Sequence, residues 1–218
     1  MAICKTLTLI LLFPIFTLAQ KPVDSLHSVN DLNDNRRFWY YFNNTQDKKV
    51  GLQDLLLSTD SLNIRIRSYS DILDISRRKD GTLTSKYYVF FIKQTKKLKP
   101  EKVVFNVANF DSTITKIMID SFYRIGIDKL PDDSKISNYP VFVDGNSYRT
   151  QIATQNTYKE FTYSNPSSAE EIMEAAIFSR FIKFIYKMVN SKNQFEDLKK
   201  SLKSGQYKFS GFYVYKIK

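Results

Sequence analysis

Tyr148-Arg149-Thr150-Gln151-Ile152-Ala153-Thr154-Gln155-Asn156-Thr157-Tyr158-Lys159-Glu160-Phe161-Thr162-Tyr163 reads as two strands joined by a Gln155-Asn156 turn. A connection this short forces the strands to run antiparallel. With a two-residue turn, Thr154 faces Thr157, and the pairs outward are Ile152/Lys159, Thr150/Phe161 and Tyr148/Tyr163 on one side. The other side carries Ala153/Tyr158, Gln151/Glu160 and Arg149/Thr162, with Arg149 diagonal to Glu160 and within reach of a long side chain.

Further strands lie upstream. Asn63–Ser70 alternates Ile64 and Ile66 with Arg65 and Arg67, the period of a half-buried strand. Ile72–Arg77 and Leu83–Ile92 flank Lys79-Asp80-Gly81-Thr82, whose Asp-Gly pair suits a tight hairpin. Tyr87-Tyr88-Val89-Phe90-Phe91-Ile92 does not alternate and is expected to be covered on both faces. Val103–Ala108 and Tyr139–Val143 are further strand candidates, and Arg37-Phe38-Trp39-Tyr40-Tyr41-Phe42 is where order is expected to begin. Tyr207, Phe209, Tyr213, Tyr215 and Ile217 alternate as one closing strand.

Asp111-Ser112 caps a helix with Ile114, Ile117, Met118, Phe122 and Ile125 on one face, ended by Gly126. Ser168-x-x-Glu171 reads as a capping box opening a long helix to about Val189, its core side carrying Ile172, Ala176, Phe178, Ile182, Ile185 and Val189. Phe195, Leu198 and Leu202 mark a shorter helix. Hairpins and helices mix without a βαβ rhythm. The expected fold class is α+β: a curved antiparallel β-sheet with two or three helices packed on one face.

The N-terminus sets the expected compartment. One lysine, an uncharged run from Thr6 to Leu18 and the small Ala19 match a signal peptide over residues 1–19, cleaved between Ala19 and Gln20. The run is short for a bilayer span and broken by Pro14. Residues 20–35 form a polar leader, and 36–218 a single domain. Cleavage removes Cys4, the sole cysteine, so the mature chain has no disulfide and no membrane span. A core of this size can hold a periplasmic, surface or extracellular protein without covalent staples, and a bacterial envelope is the expected location. Asn43-Asn44-Thr45 is a glycosylation sequon only in a eukaryotic secretory path.

The formal charge is +11, one less once Lys5 leaves with the leader. Scattered lysines supply most of it, which does not favour nucleic acid. The lysines of residues 93–102 either grip a polyanion or act as gatekeepers beside an apolar strand. Arg180, Lys183 and Lys187 form a stripe on the long helix, expected to be solvated.

Much chemistry is excluded. No mature cysteine remains for thiol catalysis, and the one histidine, His27, lies in the leader, which removes a Ser-His-Asp triad or histidine-rich metal site. Neither GxGxxG nor GxxxxGK[ST] occurs, so no nucleotide cofactor is indicated. An enzyme would rely on carboxylates; Asp71/Asp74 and Asp132-Asp133 are the nearest pairs, and both read as turn or strand-edge residues. The candidate ligand-binding residues are Arg65 and Arg67, able to hold a carboxylate or sulfate by forked hydrogen bonds, and Arg149, Glu160 and Tyr158, a shallow patch for a polar ligand. Each set also reads as an ordinary solvated sheet face. The expected function is a secreted or periplasmic non-enzymatic protein that binds a protein, glycan or polar ligand without cofactor or metal. A carboxylate-dependent hydrolase of an envelope polymer and an inhibitor of a secreted enzyme are the alternatives.

Overall fold

The computed structural model describes residues 45, 47–93, 102–209 and 213–217. The expected signal peptide with its Ala19–Gln20 junction, the polar leader, the Arg37–Phe42 run, Asn43 and Asn44 of the sequon, and residues 94–101 of the basic loop lie outside them.

Eight strands form one open sheet: β1 (Leu62–Arg67), β2 (Asp71–Arg77), β3 (Leu83–Lys93), β4 (Lys102–Phe110), β5 (Ser147–Ala153), β6 (Tyr158–Ser164), β7 (Gly205–Phe209) and β8 (Tyr213–Ile217). Every pairing is antiparallel, and the order runs β6-β5-β1-β2-β3, with β4 on one edge of β3. The β7–β8 hairpin joins the other edge through Ile92 and Lys93, beyond the end of β2. Three helices pack on the sheet: α1 (Ser112–Ile125), α2 (Met173–Met188) and α3 (Ser191–Ser201). The chain is an α+β protein, as its hairpins and helix signals predict.

Pleat alternation sends Leu62, Ile64, Ile66, Leu73, Ile75, Tyr87, Val89 and Phe91 to the helix side, where Met118, Phe122, Phe178, Phe181, Ile182, Ile185 and Leu198 meet them. The opposite side is covered too. Val50, Leu52, Ile72, Tyr88 and Phe90 form a second apolar cluster, and Leu55 packs with Ala153 and Tyr158 in a third. The Tyr87–Phe91 run is therefore buried on both faces, which is why it lacks alternation.

Several local expectations change. β1 is buried at all six positions, not half-buried, because the stretch from Asp47 to Leu57 lies over its arginine side. Tyr139–Val143 is not a strand. Pro140 has no N–H to give a ladder, Val141 and Val143 stand in solvent, and Tyr139 instead donates its hydroxyl to the Ser164 carbonyl at 2.8 Å. The Ser168/Glu171 capping box does not form. A 3-10 turn occupies Pro166–Ser168, α2 starts only at Met173 behind Ile172, and Glu170 reaches forward to Ser179 and Lys183, 2.6 Å from each.

The alternating C-terminal run is a hairpin, not one strand, with Tyr207 opposite Tyr215. On α1 the buried face is Thr115, Met118, Ile119 and Phe122, which rotates Ile117 and Ile125 outward. Arg180, Lys183 and Lys187 on α2 are exposed. Among the described residues no helix is long and apolar enough to cross a membrane.

The outer edge of β6 is closed by the carboxylates that read as turn residues. Asp132 accepts the Thr162 N–H at 2.9 Å and Asp133 the Ser164 N–H at 2.8 Å. Lys159 adds bonds to the Asp128 and Leu130 carbonyls, at 2.6 and 2.9 Å. An edge so occupied presents fewer free donors to a foreign strand.

Candidate functional site

The Gln155-Asn156 turn sets the register expected for it, Tyr148 opposite Tyr163 and Gln151 opposite Glu160. Antiparallel pairing of β1 with both β2 and β5 then gathers the three candidate ligand-binding arginines, Arg65, Arg67 and Arg149, on one side of the sheet. Arg65 stands beside Gln151 and Asp74, and Arg67 beside Arg149.

This side is not a solvated face. Arg65 and Arg67 are buried, and so are Gln151 and Tyr158. Arg65 donates to Asp74 at 2.8 Å, to Asp47 at 3.2 Å and to the Gln53 carbonyl at 2.9 Å; Arg67 donates to Asp47 at 2.7 Å. The forked bonds expected for an external anion are thus made to Asp47 of the same chain. Burial lowers the Arg67 pKa to about 10, with Asp47 opposing the shift, and its guanidinium stands 5.6 Å from the Phe90 ring centroid.

Arg149 meets Glu160 at 2.6 Å, and that carboxylate also receives the Tyr158 hydroxyl at 2.6 Å and the Gln151 amide at 3.4 Å. Gln151 in turn donates to the Tyr158 oxygen at 2.7 Å. Arg149, Glu160, Tyr158 and Gln151 form one hydrogen-bonded network on the β5–β6 hairpin. The bonds of Arg65 and Arg67, in turn, tie β1 to β2 and to the covering stretch.

The helix side of the sheet carries an opening. A pocket of about 250 Å³ is lined by Ser68, Ser70, Asp71, Tyr87, Val89, Asn146, Tyr148, Tyr186, Ser191, Lys192, Phe195 and Phe209. Asp71 begins β2 and shares its side with Leu73 and Ile75, so the pleat directs a carboxylate toward the core. α2 ends above it and supplies Tyr186, whose hydroxyl donates to the two Asp71 oxygens at 3.3 and 3.1 Å. The Ser68 and Tyr87 hydroxyls also favour the ionised form of this carboxyl.

The Tyr186 ring lies 6.4 Å edge-on from Tyr87 and 6.5 Å from Tyr148. Three tyrosines from β3, β5 and α2 therefore surround one acid. Burial pushes the Asp71 carboxyl up to about 6, against the hydrogen bonds and the Arg67 charge that favour ionisation. Burial also raises Tyr87, Tyr148 and Tyr186, with the Asp71 charge adding to each, so all three remain neutral hydroxyls at physiological pH. Lys192, exposed near the start of α3, supplies the opposite charge at the same pocket.

No protein-family model and no curated protein matches this chain. Among the described residues no group of three or more His, Cys, Asp or Glu side chains could hold a metal ion. Among the described residues Asp71 is the sole carboxylate lining the pocket. An acid paired with hydroxyl donors can accept and orient a polar group; two-carboxylate hydrolysis needs a second acid within about 5–10 Å across a scissile bond.

Asp74, the partner of Asp71 in the sequence reading, points to the other face and binds Arg65. The residues that sequence reasoning missed are Asp71 as a pocket group, Tyr148, Tyr186 and Lys192. Two signals were available: an acid at the inward position of the Asp71-Leu73-Ile75 alternation, and a tyrosine between Ile182, Ile185 and Val189 on the buried side of a helix.

Proposed function

We propose that this chain is an exported, non-catalytic binding protein whose small polar ligand sits in the Asp71 pocket. The observation that carries this reading is the position of one acid, hydrogen-bonded by tyrosine, in the wall of an open pocket of about 250 Å³. Burying this acid costs free energy that its hydrogen bonds within the fold offset only in part, since its pKa stays raised, and a cationic partner would recover more of it. The volume falls just below the roughly 300–1,000 Å³ of drug-sized ligand sites, which fits a compact molecule better than a polymer chain. Export is supported by the N-terminal pattern and by a core that needs no disulfide.

The test is a thermal-shift and calorimetric screen of the domain against small polar compounds, repeated on Tyr186→Phe. Stabilisation by one compound class, weakened at least several-fold by the loss of a single hydroxyl, is expected. A compound that binds both forms equally would place the site elsewhere. For export, fractionation of cells making the full chain is expected to give protein outside the cytosol beginning at Gln20; intact precursor in the cytosol would contradict it.

A second reading, an inhibitor that docks a secreted enzyme, is supported by Val141 and Val143, which are 95% and 94% exposed on one loop. Co-purification of an enzyme with the protein, lost in Val141→Ser/Val143→Ser, would favour it over the pocket.

A further inference from the structure

We infer that the pocket takes a compact zwitterion, with a primary ammonium group held inward by Asp71 and its tyrosines and a carboxylate turned outward to Lys192. The inference rests on the pocket being the binding site and adds the chemical class of its occupant.

Three features of the lining converge on this class. The inner polar group is an acid, and the hydroxyl of Tyr186 already donates to both of its oxygens. A carboxylate has about four acceptor positions, and a phenol that donates can still accept. Asp71 and Tyr186 together therefore offer acceptors to an N–H donor, whereas a ligand carboxylate there would meet like charge.

The walls around that acid are aromatic: Tyr87, Tyr148 and Tyr186 from three elements, and Phe195 and Phe209, whose centroids are 4.4 Å apart. Ring surfaces lower the cost of bringing an alkylammonium out of water, and they do nothing comparable for a neutral polyol. The charge at the exposed end of the lining is positive. A simple cation would leave Lys192 opposing entry; a ligand that carries its own anion turns the same lysine into a partner.

The titration of the acid gives the inference a pH signature. The groups facing Asp71 are Tyr87 from β3, Tyr148 from β5, Tyr186 from α2, Lys192 from α3, and Arg67 through its field. The tyrosines stay neutral and Arg67 stays charged between pH 5 and 8, whereas Asp71, at about 6 without ligand, changes charge in that range. Affinity for an ammonium is then lost as pH falls through about 6, because the protonated acid no longer offers a negative charge.

Four probes with the same carbon skeleton separate the contributions: γ-aminobutyrate, butylamine, butyrate and butanol, each titrated calorimetrically into the protein at pH 7.5 and pH 5. The expected order at pH 7.5 is γ-aminobutyrate over butylamine by about tenfold, with butyrate undetected. Asp71→Asn is expected to abolish the preference for both amines and its pH dependence. Lys192→Met is expected to bring γ-aminobutyrate down to the level of butylamine. Equal binding of butanol and the amines, blocked by the rim substitution Asn146→Trp, would overturn the zwitterion and leave the pocket as a binding site. Binding of butyrate above butylamine would reverse the assigned polarity. Binding of the amines unaffected by Asp71→Asn and Asn146→Trp, in variants shown to be folded, would overturn both the inference and the site.

Discussion

Replacing Asp71 with asparagine is expected to stabilise the unliganded protein, by an amount that depends on pH. The acid ionises at 3.8 when unperturbed and at about 6 in the fold. Between those values the folded chain binds more protons than the unfolded one, so stability falls as pH rises through that window and stays low above it. A raised carboxyl thus has the opposite sign to an acid held by an ion pair. The shift is about 2 pH units, and at about 1.36 kcal/mol each this gives close to 3 kcal/mol between pH 4 and pH 7. Asparagine keeps an acceptor for the Tyr186 hydroxyl but carries no charge to desolvate. Urea denaturation of both proteins from pH 4 to pH 8 measures the difference, and groups common to the two cancel. Asp71→Asn should gain about 2–3 kcal/mol relative to the parent across pH 4–6.5 and hold that gain above it. A difference that does not vary with pH, or a variant less stable than the parent at pH 8, would refute the reasoning.

Other substitutions probe the frame around the pocket. Asp47→Ala removes the carboxylate that Arg65 and Arg67 share and should cost about 3–5 kcal/mol in urea denaturation, since two buried guanidiniums lose their common partner. Gly145→Ala would place a Cβ 1.9 Å from Asn165 Oδ1, at a φ of +121°. It should cost about 1–3 kcal/mol and loosen the turn where the Asn146 N–H bonds to that side chain at 2.7 Å, visible as faster amide exchange at Asn146. Thr150 is fully buried on the core side with its hydroxyl unpartnered among the described residues; Thr150→Val should raise the melting temperature, by the equivalent of about 1 kcal/mol.

The sequence is most informative where local chemistry and tertiary environment agree. The Gln155-Asn156 turn sets the β5–β6 register, and the unalternating Tyr87–Phe91 strand announces its two covered faces. Asp111 and Gly126 bound α1, where Asp111 accepts the Ile114 N–H at 2.9 Å and Gly126 takes a left-handed φ of 82°. Local pattern misleads where a distant segment decides the environment. Arg65 and Arg67 have the alternation of a solvated face, and the stretch from Asp47 to Leu57 makes that face interior.

Ser168 and Glu171 have capping spacing, yet Asn165 enters a left-handed turn with φ 46° and a 3-10 turn follows, which delays the helix to Met173. The pocket was least legible. Asp71, Tyr87, Tyr148, Tyr186 and Lys192 come from five separate elements, and no spacing in the chain connects them. A charged residue on the apolar side of an alternating strand and a tyrosine on the buried side of a helix were its local signs.

The most direct test of the pocket as the ligand site is a crystal structure of the protein grown with γ-aminobutyrate. The expected result is the probe within the Asp71 pocket, its nitrogen within hydrogen-bonding distance of the acid and its carboxylate toward Lys192. Density for the probe on the Arg149–Glu160 side instead, with the Asp71 pocket holding water alone, would contradict the account.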